Sequence, residues 1–101
     1  MALVERLMHT DPDPARFIPV HAFFAALTEV ASGNATVTQI KNYWNMTSAD
    51  NVDMDAIVAA APAGDAARAL YLIRLHAVFI LAEDTVPGYD TPAGVRTKLG
   101  I

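Results

Sequence analysis

Apolar residues recur along this chain at intervals of three and four, which is the period of a helix with one buried face. This spacing predicts a first long helix that begins between Pro14 and Pro19 and ends at Gly33. Glycine readily adopts the left-handed conformation that follows many helices, so Gly33 is a natural terminator. The apolar stripe of this helix consists of Phe17, Val20, Phe23, Phe24, Leu27, Val30 and Ala31.

A second long helix is predicted from Asp65 to Asp84. Its sequence, DAARALYLIRLHAVFILAED, is apolar on nearly every side. A helix of this kind is typically central, with neighbours packed on several sides. Near the start of the chain, the segment from Ala2 to Met8 is long enough for one or two helical turns, which the prolines of HTDPDP then end.

The region from Thr36 to Ala61 contains two shorter helical patterns that meet at a polar junction, NMTS, at residues 45–48. Thr36 and Gln39 have the spacing of a capping box, in which each side chain bonds to the backbone of the other residue. This arrangement predicts a helix-turn-helix-like pair. Trp44, at the end of the first short helix, is expected to anchor the pair in the core.

A last short helix is predicted after Thr91, which can cap it, with Pro92 in its first position. No segment shows the strict two-residue alternation of a half-buried strand. The sequence therefore predicts one all-α domain, residues 1–101. We expect a compact bundle of five or six helices around a long central helix, with the helix-turn-helix-like pair as part of it.

Composition changes this picture in one respect, because the chain has more apolar residues than one small core needs. Apolar residues make up 53% of the 101 positions and charged residues only 18%. Surplus apolar surface usually marks an interaction face. The formal charge of −4 disfavours nonspecific binding to nucleic acid or anionic membranes and favours protein partners. Cysteine is absent, so disulfides and thiolate chemistry are excluded.

Candidate chemistry is sparse. His9, His21 and His76 are the three histidines, and none stands at the spacing by which one helix presents two ligands to a metal. The sequence contains no nucleophile elbow and no glycine-rich phosphate loop. We therefore expect a protein that is not an enzyme, with no catalytic residue, no cofactor and no metal site. The first eight residues lack an apolar core of signal-peptide length, so a cytoplasmic protein is expected.

Two groups of residues are candidates for protein contacts. The second helix of the short pair opens with three carboxylates, which either complement the helix dipole or form an acidic docking patch. The last helix carries a narrow apolar strip beside two cations, which either docks on a partner or closes the domain's own core. The candidate interaction residues are Asp50, Asp53 and Asp55 in the first group, and Val95, Arg96, Lys98, Leu99 and Ile101 in the second.

The order of these segments resembles that of small helical virion proteins of tailed bacteriophages. The resemblance covers most of the chain after Phe17 and is carried by TVTQIKNYWNMTSADNVDMDAIVAAAP, RALYLIRLHAVFILAED and the closing TPAGVRTKLGI. It implies a structural role as a capsid, neck or tail component, made in the host cytoplasm and located in the virion. The partners it implies are other virion proteins or copies of this chain, with no specific nucleic acid and no membrane.

Two other functions stay open. The first is a small helix-turn-helix regulator that binds DNA or a DNA-bound protein. The carboxylates at the start of its second helix would repel phosphates, so it would need a basic stripe assembled elsewhere. The cations available for that stripe are Arg16, Lys41, Arg68, Arg74, Arg96 and Lys98. The second is a small enzyme or ligand carrier with a pocket between its helices, for which the sequence offers no positive sign.

Overall fold

The computed structural model describes all residues from 1 to 101, and every regular element in it is helical. The predicted all-α class and the predicted number of helices are confirmed. The α-helices are α1 (Leu3–Leu7), α2 (Val20–Ala31), α3 (Val37–Tyr43), α4 (Ser48–Ala60), α5 (Asp65–Glu83) and α6 (Pro92–Leu99), with a short 3-10 turn at Pro14–Arg16.

Local capping residues determine where several helices begin. The side chain of Thr36 accepts a hydrogen bond from the backbone N–H of Gln39, and the Gln39 side chain accepts one from the N–H of Thr36. Thr47 makes the equivalent exchange at the start of α4. Thr91 caps α6, with Pro92 in its first turn. Each of these bonds satisfies a backbone N–H that has no partner within its own helix.

The helices pack in two groups that share one core. α2 lies against α5 and α3, while α1 lies against α4 and α6, and α6 also contacts α5. The core contains 14 buried apolar residues from all six helices and the segment before α2. Its largest fully buried side chains are Phe23 and Phe79. Trp44 is half-buried at the edge of this core, tilted against Phe23 of α2 with ring centroids 5.9 Å apart.

The long helix α5 is packed on fewer sides than its sequence predicts. Only Leu75 and Phe79 are buried among its 19 residues. The reason is that its main neighbours, α2 and α6, cover one side of it. The opposite side of α5 is exposed to solvent, although its residues are mostly apolar. None of the helices combines the length and the hydropathy that a membrane-spanning segment requires.

Candidate interaction surface

A buried group of charged residues connects the N-terminal segment to α4. The guanidinium of Arg6 donates from Nη1 to Oδ2 of Asp50 at 3.0 Å, from Nη2 to the carbonyl of Trp44 at 2.8 Å, and from Nε to the carbonyl of Arg16 at 2.8 Å. Asp50 is 0% exposed. Arg16 donates to both oxygens of Asp50 at 3.2 Å, and Thr47 donates to the same carboxylate through its backbone N–H.

A second set of ion pairs connects the first helix to the last. Arg96 of α6 donates from Nη1 and Nη2 to the two oxygens of Glu5 at 2.7 and 2.8 Å, which is the bidentate geometry that makes such pairs strong. Its Nη2 also donates to Asp53 at 3.3 Å. We call the whole group the ion-pair cluster. Its members are Glu5, Arg6, Asp11, Arg16, Asp50, Asp53 and Arg96.

Two carboxylates of the ion-pair cluster show the electrostatic effect of their partners. The hydrogen bond from Arg96 holds the pKa of Glu5 below its ordinary value, although partial burial opposes this shift. The backbone N–H of Asp13, followed by the side chain of Arg16, lowers the pKa of Asp11. Both groups are therefore held in the charged form, which is the form that their partners bind.

For the carboxylates at the start of α4, the ion-pair cluster favours a structural role over the alternative of an acidic docking patch. Asp50 and Asp53 are buried, at 0% and 7% exposure, and their carboxylates face arginines of the same chain. Asp55 alone is exposed, and it pairs with Lys41 at 2.6 Å. Sequence reasoning missed this outcome because the arginine partners lie 34 to 44 residues away from Asp50.

The C-terminal strip also lies against the domain itself. Val95 is 0% exposed, and Leu99 and Ile101 are half-buried against the core. Gly94 packs so closely on the carbonyl oxygen of Gly88 that no side chain would fit between them. Of the two alternatives for this strip, the structure favours the one in which it closes the domain's own core. Of its two cations, Arg96 is in the ion-pair cluster.

Among the candidate interaction residues of this strip, only Lys98 is exposed. It lies 5.2 Å from the ring centroid of Tyr89.

The structure exposes a different apolar surface, on the side of α5 that faces away from the core. Exposed apolar residues follow each other along this helix at intervals of four, three, four and three. They are Ala66, Leu70, Ile73, Ala77 and Ile80. We call this surface the outer stripe. Its large side chains are 48% exposed at Leu70, 65% at Ile73 and 38% at Ile80. Apolar residues at alternating intervals of four and three form the contact line, or seam, between paired helices in coiled coils and bundles.

The outer stripe borders a groove of about 800 Å³ between α2 and α5. Phe24 and Leu72 contribute apolar walls, while His21, His76 and Arg68 contribute polar groups. The ring of His76 stacks on Phe24 at 4.8 Å and meets the ring of His21 edge-on at 4.9 Å. Burial, together with the neighbouring His21, lowers the pKa of His76. The lowered pKa favours the neutral form of the His76 imidazole.

Sequence reasoning identified the apolar surplus of α5 but not this surface. The exposure of the outer stripe depends on which neighbours α5 has, and periodicity does not specify them. The basic stripe that a DNA-binding protein would need is largely neutralised by ion pairs. Of the six cations named for it, four pair with carboxylates of the same chain, namely Arg16, Lys41, Arg68 and Arg96.

No group of three or more histidine, aspartate or glutamate side chains is placed to hold a metal ion. Comparison of the chain with protein-family models, with curated proteins and with solved structures finds no match.

Proposed function

We propose that this protein is a non-enzymatic assembly protein that acts through protein contacts made by the outer stripe of α5. The observation that carries the proposal is the exposure of five apolar residues at the spacing of a helix-pairing seam. Isolated exposed apolar residues are normal on a protein surface, but a contiguous row of them marks an interaction site. The acidic net charge of −4 is compatible with protein partners.

The setting we propose for this contact is the particle of a tailed bacteriophage, as a capsid, neck or tail component. The support is the resemblance in segment order to small helical virion proteins. Repetition fits the surface, because a narrow seam gives a contact that is modest in one copy and strong when many copies act together.

The runner-up, a regulator built on α3 and α4, is less well supported. Asp50 and Asp53, on the first turns of α4, face arginines of α1 and α6 and the segment before α2, so those elements cover that side of α4. A recognition helix must present its first turns to the base edges of a groove. We expect no sequence-dependent complex with duplex DNA at physiological salt, and such a complex would favour the regulator.

The assembly role is tested by incorporation into particles. Tagged chains would be produced in the cells in which the particles form, and the purified particles would be analysed by quantitative mass spectrometry. The informative variant is Ile73→Glu, which places a carboxylate in the middle of the outer stripe. Its matched control is Val52→Glu, because Val52 is 69% exposed, close to the 65% of Ile73, but lies on α4.

We expect the parent chain and Val52→Glu to be present in particles at similar copy number, and Ile73→Glu to be depleted at least tenfold. If the parent chain is absent from particles, the virion role is wrong. If both variants are incorporated as the parent is, the outer stripe is not the contact.

A further inference from the structure

We infer that the groove between α2 and α5 binds an amphipathic carboxylate, with the carboxylate on the guanidinium of Arg68 and the apolar body extended toward His21 and His76. This inference does not depend on the proposed function, because Arg68 lies outside the outer stripe and the ligand is a small molecule. Spaces between the helices of a bundle are common places for such ligands.

The groove has the size and the lining of a small-molecule site. Its volume of about 800 Å³ lies within the range of about 300–1,000 Å³ that is usual for these sites. Apolar side chains form half of the lining, with Phe24 and Leu72 as its largest walls beside Ile73. Because Ala25 of α2 and Ala69 of α5 are short, the space between the two helices stays open. The groove therefore offers both room and apolar surface to a ligand.

Polar atoms that the chain itself does not satisfy are concentrated in this groove. Three buried side-chain nitrogen or oxygen atoms of the molecule have no hydrogen-bond partner. Two of them, Nε of Arg68 and Nε2 of His76, belong to residues that line the groove. Buried polar groups are normally paired, because an unpaired one costs free energy. A ligand that carries an acceptor to Arg68 would supply a missing partner.

Arg68 determines the charge of the ligand. Its guanidinium presents N–H donors in a planar fork, which matches the two oxygens of a carboxylate. Its ionic partner within the chain is Asp65, whose Oδ1 lies 3.6 Å from Nη2, a distance longer than a hydrogen bond. The side chain of Arg68 is 36% exposed, so the guanidinium is free to turn toward a ligand. The arginine is therefore only weakly engaged by its own chain.

Asp65 favours a ligand with a single negative charge. Its carboxylate beside Arg68 repels any anion in the groove, and the repulsion grows with the charge of that anion. A phosphate dianion would therefore be repelled about twice as strongly as a carboxylate. One arginine beside one aspartate is suited to a carboxylate and poorly suited to a phosphate.

The two polar ends of the groove set the length of the ligand. His21, at the start of α2, meets His76 in the second half of α5, while Ser32, just after α2, lines the same groove as Arg68. The two helices therefore run antiparallel along the groove. Arg68 and His76 are separated by about 12 Å of helix, at a rise of 1.5 Å per residue, with Leu72 midway between them. A medium-chain fatty acid in extended form spans this distance.

Three probe ligands separate the contributions of charge and length. Decanoate carries both the carboxylate and the apolar chain, decanol carries the chain alone, and acetate carries the carboxylate alone. In isothermal titration calorimetry at pH 7.4, below the critical micelle concentration, we expect decanol and acetate to bind about tenfold more weakly than decanoate or less. Decyl phosphate should also bind more weakly than decanoate. In NMR spectra, the ring protons of His21 and His76 should shift with decanoate and not with acetate, because only the long ligand reaches them.

Two substitutions of opposite expected effect test the role of Arg68. Arg68→Gln removes the cation and should weaken decanoate binding about tenfold. Its matched control is Arg74→Gln, which changes the net charge equally but replaces an exposed arginine of α5 outside the groove. Asp65→Asn should tighten decanoate binding, because it removes the carboxylate that competes for Arg68. Damage to the fold does not produce such a gain, and circular dichroism would verify the fold of each variant.

Several results would overturn the inference. Decanol binding as tight as that of decanoate would show that the carboxylate is not recognised. Equal weakening by Arg68→Gln and Arg74→Gln would show that net charge alone attracts decanoate. Shifts confined to Val58 and Tyr71 would place the chain in the smaller pocket of about 310 Å³ that also borders Arg68. Absence of decanoate binding at millimolar concentration would refute the site altogether.

These outcomes are distinguishable from those of the particle experiment. Arg68→Gln and Asp65→Asn leave every residue of the outer stripe unchanged, so the proposed function predicts normal incorporation of both variants into particles. A chain that binds decanoate but is absent from particles would refute the virion role alone.

Discussion

The ion-pair cluster and the outer stripe of α5 reverse the usual arrangement of a small domain. The cluster places charged side chains inside the molecule, including Asp50 at 0% exposure. The stripe places large apolar side chains outside it, including Ile73 at 65% exposure. From residue type alone, the aspartate would be expected at the surface and the isoleucine in the core. The difference shows that the neighbours of a helix, and not its composition, decide which of its faces is free.

The two regions also differ in what their side chains do for the fold. Asp50, at the centre of the ion-pair cluster, is fully buried and pairs with Arg6 and Arg16 from distant parts of the chain, so removing it leaves the nearly buried Arg6 without a carboxylate partner. The large side chains of the outer stripe are 38–65% exposed, so changing the most exposed of them, Ile73, leaves the core as it is. We therefore expect large effects on stability from the cluster and small effects from the stripe.

The largest effect is expected for Asp50→Ala. This change removes the acceptor for Arg6 and Arg16 and the capping partner of Thr47. Breaking a buried pair by removal of one partner destabilises a protein by about 3–5 kcal/mol, because the remaining charge is left buried without compensation. Urea denaturation followed by circular dichroism would measure this change in the free energy of unfolding.

The matched control is Asp55→Ala on the same helix. Asp55 is exposed and pairs only with Lys41, and exposed pairs contribute about 0–1 kcal/mol. Equal effects of the two substitutions would show that Asp50 is solvated in the native protein and that the comparison with the outer stripe is wrong.

The next effect is expected for Val95→Ala, which tests whether α6 belongs to the core. Val95 is 0% exposed, and α6 packs on both α1 and α5. Truncation of a fully buried side chain leaves a cavity, and for valine we expect a loss of about 2 kcal/mol. Thermal melting measures this loss of stability. The control is Lys98→Ala, because Lys98 is an exposed residue of the same helix. If the melting temperature of Val95→Ala equals that of the parent chain, α6 does not belong to the core and is again a candidate for docking on a partner.

Much of the fold was predictable because helix boundaries depend on local chemistry. The capping box at Thr36, the cap at Thr91 and the predicted span of α5 agree with the structure to within one residue. The start of α2 was less well defined, because Pro14 begins a separate 3-10 turn and the helix itself starts at Val20. Short-range signals therefore located the helices, with the prolines as the main source of ambiguity.

The interaction surface was not predictable in the same way. The pairing of Glu5 with Arg96 spans 91 positions of sequence, and no local pattern connects the two residues. Acidic residues at the start of a helix have the same appearance whether they face solvent or buried arginines. The apolar excess of α5 was visible in the sequence, but the side that remains exposed depends on how α2 and α6 pack.

A smaller effect is expected from the pH dependence of His76, beside the outer stripe. Its pKa in the folded protein is lowered below 6.5, because burial and His21 disfavour the charged form. As pH falls below 6.5, the unfolded chain binds a proton that the folded protein does not bind. Stability is therefore complete above this pH and decreases below it, until the lowered pKa is reached. Melting temperatures between pH 5 and pH 7.5 should show this decrease, and His76→Gln should reduce it; equal slopes in both proteins would refute this origin.

The smallest effect on stability is expected for Ile73→Glu, which is also the variant expected to be depleted from particles. Ile73 is 65% exposed, and surface substitutions of this kind usually change the free energy of unfolding by less than about 0.5 kcal/mol. Glutamate is at least as good a helix former as isoleucine, so the helix itself is not weakened. Urea denaturation followed by circular dichroism gives the comparison with Val52→Glu. A loss of more than about 1 kcal/mol in Ile73→Glu, but not in Val52→Glu, would mean that Ile73 supports the fold. The outer stripe would then not differ from the ion-pair cluster in its effect on stability.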